Sequence, residues 1–249
     1  MINYIKKLFQ TKSSKEIIYE IDILRDKSEY LNAKNYLKSN NFKPHHDDTK
    51  NWDIHKFIKL IQNQYNINDN LNILDAGSGS KPVLLENLRK LNKNFQLYAV
   101  DRIFKNEKRF IENNINFSIQ DMSETNFENK KFDFIFSLSV IEHGVILESF
   151  FKEMSRILKK NSYLLITTDY WPEKIDTSDK FPYDKKFGPM KIFSKNEIKN
   201  IINLAKKYNF EILGENTLDE KLFNKVCRWE RMDEEYTFIY LPFKLNDNI

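Results

Sequence analysis

The stretch Leu71-Asn-Ile-Leu-Asp-Ala-Gly-Ser-Gly-Ser80 constrains this chain more than any other. Leu71, Ile73 and Leu74 make an apolar run short enough for a buried strand. Asp75, Gly77 and Gly79 break it, and Val83, Leu84, Leu85, Leu88 and Leu91 then recur at helical spacing. A strand, a glycine turn and a helix in that order form the first half of a nucleotide-binding crossover. The glycines allow close approach of the backbone to a ligand, and the helix N-terminus offers free N–H groups. Pro82 is expected at the first helical position, where its missing N–H costs nothing. With only 5 glycines in 249 residues, two of them in one turn are informative.

Charge narrows the ligand. A dinucleotide turn sets a pyrophosphate over its glycines, and an acidic residue at its head would repel that group. Here the head is Asp75, and Lys81 stands where a third glycine might fall. A carboxylate at that point suits a ligand with a cationic end, such as the amino group or sulfonium of a methionine derivative.

The rest of the composition mostly excludes. Forty basic against 36 acidic residues give a net charge of +4, too balanced and too dispersed to imply nucleic acid. The single cysteine, Cys227, rules out an internal disulfide and fits a reducing compartment. No signal peptide and no apolar run of transmembrane length is found, so a cytoplasmic protein without a membrane span is expected.

In chain order, Met1–Gln10 reads as a short basic amphipathic segment and Ser14–Lys38 as a helix. Residues 1–50 are therefore expected to be an N-terminal helical extension or lid, packed on the main domain or on a homodimer partner. His45, His46, Asp47 and Asp48 lie in a loop; adjacent side chains rarely converge on one ion, and no metal site is expected. Trp52–Tyr65 reads as a helix with Trp52 in the core. From Leu71 the pattern alternates strand and helix, which predicts a parallel sheet. Strands are expected at 71–75, 95–100, 115–119, 132–137 and 163–168, with two more at 210–213 and 236–241. Ser194 with Glu197 is a capping box opening a helix to Tyr208. Residues 170–193, charged and aromatic with little periodicity, are expected to be a substrate-binding insertion in a domain spanning 51–249.

The motifs succeed one another in a recognisable order: D75-A-G-S-G79, Asp101 ending the second strand, Asp121 after the third, F132-D-F-I-F-S with S-V-I-E142-H143, and R156-I-L-K-K-N-S-Y-L-L-I-T-T. This succession resembles the class I S-adenosylmethionine (SAM)-dependent methyltransferases of the small-molecule type. Lys160-Asn161-Ser162 departs from that family's usual proline-glycine-glycine turn, and Lys81 from a frequent glycine. The resemblance implies an α/β fold: a Rossmann-like, seven-stranded, mostly parallel sheet with helices on both faces and an antiparallel last strand, plus the N-terminal helical segment. It implies SAM held by the backbone at Gly77 and Gly79, with Ser80, Arg102 and Ser137 nearby and Asp75 by the methionine end. Asp101 would take the ribose hydroxyls, and Asp121 and Met122 the adenine. The acceptor crevice would then hold Glu142, Tyr170 and Trp171 as binding residues, with His143 and Asp169 as catalytic candidates.

For a hydroxyl acceptor a base helps remove the proton, and histidine titrates in the right range. His143 is the first candidate base and Asp169 the second; the plainer reading of His143 is a brace for the cofactor pocket or the helix start. A phosphate or phosphoramidate oxygen needs no base; Lys174, Lys180, Lys185, Lys186 and Lys191 would then matter for anion capture. T168-D-Y-W-P-E-K-I-D-T and P189-M-K-I-F-S look similar to methyltransferases of bacterial surface-glycan and capsule biosynthesis. The expected acceptor is thus a small molecule: a sugar, a nucleotide-linked intermediate or a phosphoramidate. A nucleic-acid methyltransferase, an inactive domain of the same fold and a nicotinamide-dependent enzyme are the alternatives; the first lacks an N/D-P-P-Y/F signature, and Asp75 opposes the last.

Overall fold

The structure is a computed structural model that describes residues 20–64, 69–103, 107–214, 218 and 223–247. Its elements in chain order are β1 (Asp22–Ile23), α1 (Lys27–Ser39), α2 (Lys50–Gln64), β2 (Asn72–Ala76), α3 (Val83–Leu91), β3 (Gln96–Asp101), α4 (Glu107–Glu112), β4 (Ile115–Ile119), β5 (Phe132–Leu138), α5 (Leu147–Ile157), β6 (Leu158–Tyr170), α6 (Lys195–Lys207), β7 (Phe210–Ile212), β8 (Cys227–Trp229) and β9 (Glu234–Leu245). They form one sheet of order β1-β9-β6-β5-β2-β3-β4, with β7 and β8 also pairing with β9. Strands β2 to β6 run parallel, and β9 lies antiparallel to β6 from Tyr163↔Lys244 to Tyr170↔Thr237. All seven expected strands are present; β1 and β8, both short and both on β9, are additional.

The strand period of two divides the core between the faces. On β2, Ile73 joins Trp52, Phe57 and Ile61 of α2 and Leu84 and Leu88 of α3 on one face. Leu74, next along, joins Phe150 and Met154 of α5 and Ile198 and Ile201 of α6 on the other. Trp52 is 3% exposed, and its Nε1 donates to Glu29 Oε2 at 3.1 Å. Removing a fully buried ring such as Phe57 would cost about 3–5 kcal/mol. Among the described residues no helix is long and apolar enough to cross a membrane.

Two local expectations change. Of the helix predicted over Ser14–Lys38, residues 14–19 lie outside the described residues, and the described helix starts at Lys27, where the Asp26 side chain accepts from Ser28 N at 2.7 Å as an N-cap. Before it the chain is extended: Ile23 pairs with Ile239, and Leu24 N donates to Phe238 O at 2.9 Å. Ile21 and Ile23 fill one face's core and Leu24 the other's, so the apolar residues that imitate a helical period are used as a strand. The segment Met1–Gln10, and Tyr65 at the end of the predicted second helix, lie outside the described residues. Finally, α3 opens at Val83 with Pro82 one position earlier, as its N-cap. The capping box stands as expected: Ser194 N donates to Glu197 Oε2 at 2.8 Å, and Ser194 Oγ accepts from Glu197 N at 3.4 Å.

Candidate active site

Parallel pairing delivers the carboxyl ends of β2, β3 and β5 to one edge, the usual place for a ligand in such sheets. Gly77 N and Ser78 N both donate to Val100 O, at 2.9 and 3.2 Å, which folds the turn back over β3. Gly77 has φ +92°, and a Cβ there would stand 2.5 Å from each γ-carbon of Val140. Gly79 has φ +60°, but a Cβ there would meet nothing within 4 Å. The first glycine is required by the protein and the second leaves room for something else. Asp101 locks the turn: Oδ2 accepts from Gly79 N and Oδ1 from Ile103 N, both at 2.9 Å.

A cavity of about 360 Å³ opens against this turn. Gly77, Gly79, Ser80, Asp101, Arg102, Ile103, Gln120 and Met122 line one side, and Ser139, Val140, His143, Val145, Tyr183 and Phe187 the other. These residues fit an adenosine: a carboxylate within reach of ribose hydroxyls, apolar Ile103 and buried Met122 to flank a base, and Gln120 to meet a polar edge. A smaller cavity of about 110 Å³ adjoins at Gly77, between His45, Lys50, Asp53, Asp75 and Lys81. Asp75 Oδ1 is buried there without a partner among the described residues. Burial, and secondarily the nearby Asp101, push the Asp75 carboxyl up to about 7. A cationic group entering beside it would relieve both.

Not every anticipated residue reaches a cavity. Asp121 pairs with Arg102 at 2.8 Å and caps Ser123 N at 2.8 Å, while its neighbour Gln120 faces the cavity. Ser137 lies inside β5 with its Oγ buried and unpartnered among the described residues; two positions on, Ser139, at φ +48°, lines the cavity instead. Tyr170, expected beside the acceptor, is fully buried in the core on the α5/α6 face, against Phe193 and Phe223. Strand alternation puts it opposite Asp169. Trp171 is half-buried against Phe223.

Glu142, His143 and Asp169 do come together, around a cation that sequence reasoning missed. Lys50, at the start of α2, is half-buried, lines the smaller cavity and lies close enough to Asp53, Asp169 and Glu142 to feel their charge. Burial alone would lower its pKa, but the three carboxylates outweigh it and the ammonium is held charged. Glu142 Oε2 accepts from Thr168 Oγ1 at 2.8 Å, and Asp53 Oδ2 from Thr167 Oγ1 at 3.0 Å. Burial pushes Asp53 up to about 6 and Glu142 up to about 7. Asp169 is raised well above the usual carboxylate range, first by burial and then by the Glu142 charge.

His143 stands at the front of this cluster. Its Nε2 is 4.0 Å from Glu142 Oε1, and its Nδ1 is buried with no partner among the described residues. The ring meets Tyr183 and Trp229 edge-on, with centroids at 5.1 and 5.8 Å. Burial, with Lys50 in support, lowers His143 to about 4, so the imidazole is neutral. Residues 171–193 fold over it: His143 bridges Met190, Lys191 N donates to Glu142 O at 2.9 Å, and a Cβ on Gly144 would collide with Phe187 O at 1.5 Å. Three of the five lysines expected to capture an anion have carboxylate partners, while Lys185 lies over the Phe181 ring and Lys191 is exposed. Lys174 pairs with Glu197 at 2.7 Å, Lys180 with Glu234 at 3.3 Å and Lys186 with Asp184 at 3.5 Å. His45 and His46 stack on each other, with centroids 4.2 Å apart, and His46 Nε2 is 3.3 Å from Lys81 Nζ.

Comparison with known proteins agrees with this geometry. A family model described as a methyltransferase domain matches residues 45–215. A sterol 24-C-methyltransferase of Clavispora lusitaniae is 25% identical over 141 residues, which are 52% of this chain and 37% of that protein; the chain thus matches little more than a third of that relative's length. Among solved structures, phosphoethanolamine N-methyltransferase 2 of Haemonchus contortus, in complex with phosphomonomethylethanolamine and S-adenosylhomocysteine, superposes with a TM-score of 0.57 at 16% identity, covering 87% of this chain and 57% of that one. A Galdieria sulphuraria protein assigned provisionally as a sarcosine dimethylglycine methyltransferase superposes with a TM-score of 0.56 at 17% identity, covering 81% and 86%. At these identities the structural likeness concerns the fold.

Proposed function

The chain belongs to the methyltransferase-domain family and is a SAM-dependent methyltransferase, and from that premise we propose that it methylates an oxygen of a small molecule. The observation that carries this reading is the neutral His143 ring beside the glycine turn, with Nδ1 unpartnered among the described residues. An unprotonated imidazole in the wall of the cofactor cavity suits removal of a hydroxyl proton.

SAM supplies an electrophilic methyl group on a sulfonium, so the protein's task is mainly placement. Gly77 and Gly79 admit the cofactor against their backbone, with Ser80 beside them. Asp101 accepts from the ribose hydroxyls, Met122 packs on the adenine, and the Arg102–Asp121 pair fixes the rim. Asp75 draws the cationic end of the methionine moiety into the smaller cavity. His143 would take the acceptor's hydroxyl proton, with Glu142 beside the ring and Asp169 near Glu142. Tyr183 and residues 171–193 close over the acceptor and keep water out.

The acceptor class follows from charge. The carboxylates near Lys50, with Lys174, Lys180 and Lys186 already paired, suit an uncharged hydroxyl better than a phosphate oxygen. A sugar hydroxyl, free or in a nucleotide-linked intermediate, is therefore favoured over a phosphoramidate. Assignment to capsule or surface-glycan biosynthesis rests on the resemblance of residues 168–177 and 189–194. The test is transfer of a carbon-13-labelled methyl group from SAM to a panel of sugars, sugar nucleotides and amines. The methyl carbon shift of the product distinguishes an O-methyl from an N-methyl group. An O-methyl sugar is expected; a product methylated only on nitrogen overturns the oxygen reading.

A further inference from the structure

Carboxyl groups outnumber cations behind the far wall of the crevice. Asp53, Glu142 and Asp169 are all buried, and they come from α2, the loop after β5 and the end of β6. Thr167 and Thr168 each satisfy one oxygen, Asp53 Oδ2 and Glu142 Oε2. The other oxygen of each, Asp53 Oδ1 and Glu142 Oε1, is buried with no partner among the described residues. Lys50 is the cation that all three acids feel. Its ammonium lies over the Phe238 ring, 4.2 Å from the centroid, and makes no direct ion pair among the described residues. A single ammonium leaves the cluster short of positive charge.

Only one ring separates this cluster from the cofactor cavity. Glu142 Oε1 is 4.0 Å from His143 Nε2, and His143 lines the cavity together with Tyr183. The field of the carboxylates reaches the cavity itself. Burial raises the pKa of the Tyr183 hydroxyl, and Glu142, Asp101 and Asp169 raise it further against Lys50. The same wall is aromatic: His143 meets Tyr183 and Trp229 edge-on, and Tyr183 is 52% exposed. Ring faces attract cations, more strongly where water is excluded. Among the described residues no group of three His, Cys, Asp or Glu side chains is placed to hold a metal ion, so the cation that suits this wall is organic. The amino group of SAM has its own carboxylate, the unpartnered Asp75 in the smaller cavity.

We propose that the acceptor carries a positive charge besides its hydroxyl: an ammonium seated against His143 and Tyr183 and balanced through space by Glu142, Asp53 and Asp169. This deepens the proposed transfer to a hydroxyl and rests on it for the place of the acceptor. The substrate class is then an amino sugar with a free amine, not a neutral or N-acetylated one. No contact between ammonium and carboxylate is required. Glu142 acts across the imidazole ring, in a site where attraction between opposite charges is weakened less than in water. A neutral sugar would leave both unpartnered oxygens uncompensated, and an anionic one would be repelled.

Binding to the full chain saturated with S-adenosylhomocysteine tests this without turnover. The probes are a matched pair of pyranose-sized rings, trans-4-aminocyclohexanol and trans-cyclohexane-1,4-diol, followed by ligand line broadening in proton NMR at pH 7, where the amine is charged. The amine is expected to bind about tenfold more tightly than the diol. Glu142→Gln, which is isosteric, should remove most of that preference, and Asp53→Asn should reduce it. The second substitution lies on a different element and carries the comparison if the first variant unfolds. Equal binding of the two probes, or binding of neither, overturns the proposal, and so does a preference that survives both substitutions. A Glu142→Gln variant that loses affinity for SAM but not for S-adenosylhomocysteine, with the probe preference intact, also overturns it, because the carboxylates would then serve the sulfonium. S-adenosylhomocysteine has no methyl group to transfer, so the readout does not depend on the atom methylated. An N-methylated product would remove the oxygen reading and leave the charge preference standing.

Discussion

The two walls of the crevice handle buried polarity in opposite ways. On the glycine side, the Asp101 carboxylate accepts from two backbone amides, and the turn it fixes is stitched to Val100. Polar groups there are satisfied locally by a few consecutive residues. On the far side, Asp53, Glu142 and Asp169 are buried near half-buried Lys50, drawn from α2, the loop after β5 and the end of β6, with Thr167 and Thr168 hydroxyls on Asp53 and Glu142. The first wall is rigid by backbone geometry and the second by charge balance. Geometry of that kind tolerates pH but not volume; a charge cluster tolerates neither loss of a partner nor a shift in protonation.

Gly77→Ala should break the first wall most completely. Its Cβ would enter Val140, and φ +92° is unfavourable to any side chain. Loss of SAM binding by calorimetry is expected together with a thermal destabilisation of about 2–4 kcal/mol from overpacking and strain. Gly79→Ala, facing open space, should lose most SAM affinity at only about 1 kcal/mol of stability. Equal destabilisation of the two variants would contradict the division of roles between the glycines.

Lys50→Met should break the second wall. It removes the cation that faces Asp53 and Glu142, and a loss of about 1 kcal/mol is expected for charges that attract without a direct ion pair. Urea midpoints should show most of that loss at pH 8 and less at pH 5, where Asp53 and Glu142, raised to about 6 and about 7, take up protons. A pH-independent loss would mean that Lys50 contributes packing only.

Asp75 joins the two walls and gives a prediction of opposite sign. The native state keeps its proton to about pH 7, whereas the unfolded chain releases it near 3.8. Between those values the native state binds more protons, so this group's contribution is full below 3.8 and is lost as pH rises to about 7. At about 1.4 kcal/mol per pH unit, Asp75→Asn should be more stable than wild type at pH 8 by an amount on the order of 2–4 kcal/mol, and no more stable at pH 4. It should also bind SAM more weakly, having lost the carboxylate that meets the cationic end. Higher stability with unchanged affinity would remove Asp75 from the site.

The same contrast explains what the sequence discloses. Gly77, Gly79 and Asp101 are legible because their roles depend on a strand, a turn and the next strand, all contiguous in the chain. Lys50 and Asp53 sit one helical turn apart at the head of α2, where a charged pair ordinarily reads as a solvated face; their burial is decided by β6, β9 and residues 171–193, far away in sequence. Parity accounts for two further differences. Gln120 rather than Asp121 lines the crevice, and Asp169 lies near Lys50 and Glu142 while Tyr170 packs into the opposite core; a pattern of period two read near a strand end is easily displaced by one residue. β1 escapes notice because two residues cannot set a period, and Ile21 and Leu24 beside it are spaced as on a helix face.

Two smaller effects sharpen the division. Asp101→Ala removes the acceptor of two backbone N–H groups as well as the proposed ribose contact. At about 1.5–3 kcal/mol for hydrogen bonds to a charged group, SAM affinity should fall by at least tenfold. Tyr183→Ala lies on the other wall: the ring is 52% exposed and touches His143 edge-on. Its loss should change stability by no more than about 0.5 kcal/mol, as at other exposed positions, and SAM affinity by less than about threefold. The sensitive quantity should be the His143 tautomer and its exchange with water, because the ring helps to cover Nδ1. If Tyr183→Ala weakened SAM as much as Asp101→Ala, the cofactor would extend across the crevice, and the charged wall would belong to it rather than to the acceptor.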